Sequence, residues 1–227
     1  MKLTSGARFG LAVVAAAAIG ACSSTGGGEG GGGGGGGVRV GDIDFANFDD
    51  TLDRVIETTP TTDMPQTLDA RYRGAMKAAM PDNREGFNDR ELIADLNIRI
   101  DWTEGEDANP FRGSARGFRI REVGDDEVFR VNGELTVDQD RPASITRSES
   151  TEDLPDGGTQ DVASGGLVIP LSGDIADVEA RIVLDGTFYG DGGRAAAGTV
   201  AGNYGAPEFA DEDQFGTIDG DFFVVTR

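Results

Sequence analysis

One short unit recurs along this chain: an apolar residue, any residue, Gly, any residue, and an apolar residue. The copies are Tyr72-Gly74-Met76, Val131-Gly133-Leu135, Leu171-Gly173-Ile175, Leu184-Gly186-Phe188, Val200-Gly202-Tyr204 and Ile218-Gly220-Phe222. Spacing of two places the named residues of each unit on one face of a strand. A Gly in mid-strand costs entropy and packs nothing, so one copy alone carries little weight. Repeated at matching points, the unit suits a sheet that bends sharply enough to meet its own edge. The densest stretch is Leu184–Tyr204, where two copies flank a turn at Gly190–Gly193.

Period two runs through the rest of the chain from Thr67 onward. The clearest strand carries Leu92, Ala94, Leu96, Ile98, Ile100 and Trp102 on one face and Asp95, Asn97, Arg99 and Asp101 on the other. Phe111, Gly113 and Ala115 share one parity while Phe118 and Ile120 take the other, which predicts a β-bulge near Gly117. A further strand is expected over Phe129–Val137. Four more follow at about 167–175, 179–190, 195–204 and 216–226. Residues 138–166 are polar with Pro and Gly and read as the longest loop. Eight antiparallel strands make a closed barrel or a sandwich, and the glycine units favour the barrel. The fold class is therefore all-β: an eight-stranded antiparallel up-and-down β-barrel with a short N-terminal helix. Outward positions (Arg71, Arg73, Asp95, Arg99, Asp185, Asp219, Asp221) are charged, so each strand lacks the lipid-facing apolar band of a membrane-spanning barrel. The inward list includes Tyr72, Met76, Trp102, Phe111, Phe129, Phe188, Tyr204 and Phe222, enough bulk to fill the interior.

The front of the chain reads as an address. Residues 1–21 combine Lys2 and Arg8, an apolar run from Phe9 to Ile19, and small residues before Cys22, the pattern of an export signal. Ile19-Gly20-Ala21-Cys22 resembles the lipobox of bacterial lipoproteins, which implies lipidation at Cys22 and, with Ser23 next, the outer membrane. Cys22 is the only cysteine, so it has no disulfide partner within the chain. Residues 22–40 form the Gly-rich tether, with an unbroken run from Gly30 to Gly37. Residues 41–66 hold a short helix and connector. Phe45, Phe48, Leu52, Val55 and Ile56 fall at near-helical spacing within Asp42–Thr59, and Pro60 closes the segment. Its apolar stripe is expected to cover one end of the barrel that occupies residues 67–227.

Acids outnumber bases 41 to 20, a net charge of −21. Such a surface repels nucleic acid and anionic headgroups. The chain contains no His, which removes His-based acid–base catalysis and His-ligated metal. The acid clusters Asp125-Asp126-Glu127 and Asp211-Glu212-Asp213 read as solvated charge runs, and no calcium-loop motif is present. No catalytic, cofactor-binding or metal residue is assigned, and an enzyme is not expected. The partners expected are the lipid at Cys22 and a protein or small-solute ligand, with the protein itself a monomer.

These residues together resemble the lipoproteins built on the transferrin-binding protein B type of β-barrel, including their solute-binding relatives. The resemblance is carried by Cys22, the poly-Gly tether, Ala70-Arg-Tyr-Arg-Gly74, Gly186-Thr-Phe-Tyr-Gly190 and Gly216-Thr-Ile-Asp-Gly-Asp-Phe222. It covers residues 67–227. The Ala195-Ala-Ala-Gly-Thr199 segment fits the pattern, whereas Val200 stands where the family has an aromatic residue and Ala197 where it has an acid. The resemblance implies an eight-stranded barrel on the outer membrane that binds host proteins or haem carriers or helps acquire nutrients such as iron. Residues 38–66 leave almost no room for the family's handle domain, so transferrin binding does not carry over, and no ligand-contact residue transfers. With the interior filled, recognition is expected on loops 77–90, 138–166 and 205–215. The alternative is a structural or assembly lipoprotein of the envelope without a ligand.

Overall fold

The computed structural model describes residues 42–81, 89–155, 157–205 and 216–227. Strands dominate it: β1 (Thr67–Met80), β2 (Arg90–Thr103), β3 (Phe111–Glu122), β4 (Phe129–Arg130), β5 (Gly133–Val137), β6 (Ser144–Asp153), β7 (Thr159–Ile175), β8 (Val178–Tyr189), β9 (Ala195–Tyr204) and β10 (Gly216–Thr226). A helix, α1 (Phe48–Ile56), precedes them. Eight of the strands form a ring in one antiparallel sheet, in the order β1, β2, β3, β5, β7, β8, β9, β10 and back to β1. Pairing of β1 with β10, from Tyr72↔Thr226 to Ala79↔Asp219, joins the two chain-distant strands.

The glycine units sit where a neighbouring strand leaves no room for a side chain. A Cβ built on Gly74 would lie 1.9 Å from the Phe223 carbonyl oxygen of β10, and one on Gly220 would lie 2.1 Å from that of Lys77 on β1. Gly173 and Gly202 would meet the Glu134 and Arg181 carbonyls at 2.1 and 2.2 Å, and Gly133 and Gly186 meet theirs at 2.6 Å. Any side chain there would occupy the neighbouring strand's backbone, so excluded volume requires Gly at these positions. The bulge expected near Gly117 is present. Between the pairs Ile93↔Arg119 and Asp95↔Arg116, β3 carries one more residue than β2, and Gly117 takes φ +68°. That left-handed conformation suits Gly, and the extra residue moves Phe118 onto the buried face, where it is 1 % exposed.

Inside the ring the side chains pack into one apolar cluster that includes Tyr72, Met76, Trp102, Phe111, Phe188 and Phe222, all buried. Two of the residues expected inside differ. Phe129 is 51 % exposed, because the strand expected over Phe129–Val137 is broken: β4 pairs only with β3, and β5 alone joins the ring. Tyr204 is half-buried at the end of β9 and packs against the cluster's margin. The outward residues Arg71, Arg73, Asp95, Arg99, Asp185, Asp219 and Asp221 are all exposed.

The helix corrects a second expectation. It spans nine residues, not the whole of Asp42–Thr59, and it lies on the outer wall rather than over an end. Asp49 and Asp50 in its first turn and Arg54 in its last complement the helix dipole. Phe48, 5.4 Å from Phe223 between ring centroids, and Val55 pack with Ile43 and Phe45 against Ala75, Ile93, Ala195, Ala197 and Val225. These wall residues have the parity opposite to Met76, Phe222 and Val224. The run Phe222–Val225 is therefore buried on both faces, half by the interior and half by the helix.

What closes the end near the β8–β9 turn is the connector after α1. Its backbone bonds β8 and β7 in succession: Gly190 N–H to Thr59 O at 2.9 Å, Thr61 N–H to Phe188 O at 3.0 Å, and Met64 N–H to Ala163 O at 2.8 Å. Met64, 1 % exposed, joins the interior cluster. Tyr72 donates its hydroxyl to the Gly193 carbonyl at 2.6 Å from inside the ring, and Thr61 accepts the Gly193 N–H at 2.9 Å. Burial raises the Tyr72 hydroxyl above its ordinary range, keeping it a donor. Tyr72→Phe leaves the Gly193 carbonyl buried without that partner and is expected to lower unfolding stability by about 1–2 kcal/mol, measured in urea.

Candidate functional site

The region expected to be the longest loop is instead a hairpin. β6 pairs with the first half of β7 over ten residues, from Ser144↔Val168 to Asp153↔Thr159. A tight turn closes it, with the Leu154 N–H bonded to Gly158 O at 2.8 Å and the Gly157 N–H to Leu154 O at 2.9 Å. Gly157 has φ +84°, a conformation that L side chains rarely adopt. Ile145 near its base and Val162, paired with Ser150, are buried. Ser148–Asp153 and Thr159–Asp161 are exposed, and β8 pairs with β7 only from Gly166 onward, so the hairpin projects past the ring. Among the described strands β6 pairs with β7 alone, which leaves its other edge unpaired. Its Arg, Glu and Asp side chains are the kind that keep such an edge from pairing indiscriminately.

Between the hairpin and the connector lies a hollow of about 510 Å³ whose lining includes Asp63, Met64, Arg147, Glu149, Thr151 and Asp161. The connector approaches this closely because Gly165 has no side chain: a Cβ there would come within 2.9 Å of the Met64 sulfur. Arg147 holds the two walls together. Its Nε donates to the Met64 carbonyl at 2.8 Å, and its guanidinium pairs with Glu149 at 2.6 Å and Glu104 at 3.4 Å. Thr151 donates to Asp161 at 2.9 Å across the hairpin, and Asp63 accepts the Gly192 N–H at 2.7 Å. Each carboxylate on the hollow is thus engaged by a partner of its own. The arrangement presents polar side chains beside the unpaired edge of β6.

Cys22, the expected signal segment and the expected tether lie outside the described residues. Of loop 77–90, the ladder of β1 and β2 extends to Met80↔Arg90, leaving 82–88 outside the described residues, as are 206–215 of the third loop. Among the described residues no group of three or more Cys, Asp or Glu is placed to hold a metal ion, and no helix is long and apolar enough to cross a membrane. No family model, curated protein or solved structure matches the chain.

Proposed function

We propose that the eight-strand ring is a closed up-and-down β-barrel, held at the outer membrane by lipidated Cys22, that binds a protein or solute ligand at its rim. The β6–β7 hairpin is the chief contact element, and the role is in nutrient acquisition, as in the transferrin-binding-protein-like lipoproteins the sequence resembles. One observation carries the reading: interior positions are taken by Tyr72, Phe111, Phe188 and Phe222, while Ser148–Asp153 and Thr159–Asp161 of the hairpin are exposed. A packed interior leaves recognition to projecting elements on a rigid scaffold. Charged outward residues on the strands support a barrel that stands in water, carried on its tether.

The placement is tested by mass spectrometry of Cys22 and by protease treatment of whole cells; unmodified, freely soluble protein overturns it. Recognition is tested by replacing Thr151–Asp161 with an Asn-Gly turn across the Ser150↔Val162 pair. The ring is expected to keep its thermal midpoint, and any partner retained by the full chain from envelope extract or medium is expected to be lost. Retention of the same partner by the shortened hairpin contradicts recognition there. If the full chain retains no partner, the structural or assembly role replaces this one.

A further inference from the structure

The outer wall of β1, β2 and β3 carries a row of arginines that its own chain leaves largely uncompensated. Arg71 on β1 is directly opposite Arg99 on β2, and Arg99 is directly opposite Arg112 on β3. Arg227, whose N–H bonds the Arg71 carbonyl at 3.1 Å, extends the row, and Arg73 sits two residues along β1. All five are exposed. Like charges directly opposite across strands oppose folding, so the row is an electrostatic cost in a chain with few cations to place.

Elsewhere on the same wall four cations are answered. Lys77 pairs with Asp49, Arg116 with Glu134, Arg119 with Asp95 at 2.9 Å and Arg121 with Glu91 at 2.6 Å. In the row only Arg99 has a carboxylate among the described residues, Asp69 at 3.4 Å. Arg112 donates to the Asn109 and Phe111 carbonyls, and Arg227 reaches the Asn97 side chain at 3.5 Å. The side chains of Arg71 and Arg73 form no hydrogen bond or ion pair with a described residue. Between Arg71, Arg99, Arg112 and Arg227 lies a hollow of about 320 Å³ lined also by Tyr72, Ile98 and Gly113.

From this geometry we infer that the arginine row binds a small multivalent oxyanion, of the phosphoryl or polycarboxylate class. The backbones of adjacent strands stand about 5 Å apart, within the reach of long arginine side chains, so one compact anion can take paired N–H donors from two of them. The net charge of −21 selects for small size: a long polyanion or an anionic bilayer must also face the acidic surface beyond the row, whereas a compact ion meets only the carboxylates beside it, Asp69 and Asp101. This site is independent of the lipoprotein reading and of the hairpin.

The test is titration of the purified chain with inorganic pyrophosphate and, separately, citrate, by calorimetry and by thermal shift. Binding with an upward shift in melting temperature is expected from one or both. Arg71→Gln and Arg99→Gln are each expected to weaken it about tenfold, with Arg99→Lys intermediate because it keeps charge and loses the fork. Without anion, Arg71→Gln is expected to melt no lower than the wild type, since it relieves repulsion; this separates lost binding from lost folding. Absence of binding to both anions at millimolar concentration overturns the inference. So does binding unchanged in the Gln variants, or binding seen only with phosphatidylglycerol vesicles.

Discussion

Gly74→Ala is expected to destabilise the ring by about 3 kcal/mol or more, near the upper end of what overpacking produces. The added Cβ would lie 1.9 Å from the Phe223 carbonyl oxygen and 2.7 Å from the Val224 Cα. Both are backbone atoms of the strand that completes the ring, so relief requires β1 and β10 to separate. Gly124→Ala is the control. Nothing lies within 4 Å of its Cβ, but its φ of +88° is left-handed, and the cost is expected near 1 kcal/mol. Urea unfolding followed by circular dichroism measures both. Equal, small losses would mean that β10 does not approach Gly74 as described.

Phe222→Ala is expected to cost about 3–5 kcal/mol, because it opens a cavity in the interior cluster. The side chain is fully buried and lies so close to Gly186 that a Cβ there would be 2.8 Å from its ring. Phe129→Ala is expected to change stability by no more than about 0.5 kcal/mol, since that ring is 51 % exposed. The sequence pattern alone treats these two phenylalanines alike, so the contrast separates the folded arrangement from the alternation that suggested it. The same urea transition gives both values.

Most of the ring was legible before any coordinates, for a physical reason. Strands with one wet and one dry face alternate in polarity, and they need Gly where backbones touch, as at Gly74, Gly173 and Gly220. The bulge at Gly117 was legible because an inserted residue shifts parity from Ala115 to Phe118. The hairpin was not. Ser148–Asp153 is exposed on both faces, so no apolar alternation marks it as strand, and its pairing to β7 comes from the backbone ladder alone. The helix position was illegible for the converse reason. Phe223 and Val225 are as apolar as Phe222 and Val224, and a pattern of unbroken apolar residues does not say that a second layer covers the outside. The arginine row is illegible in the sequence because Arg71, Arg99 and Arg112 become neighbours only through register, far apart along the chain.

Ring closure is what the packed interior and the projecting hairpin both require, and amide hydrogen exchange on the β1–β10 seam tests it most directly. Ladder-bonded amides between Tyr72↔Thr226 and Ala79↔Asp219 are expected to exchange as slowly as those joining β8 to β9, because a closed sheet has no free edge there. Seam amides that exchange at the rate of frayed edge strands, while β8 and β9 remain protected, would show an open sheet and contradict it.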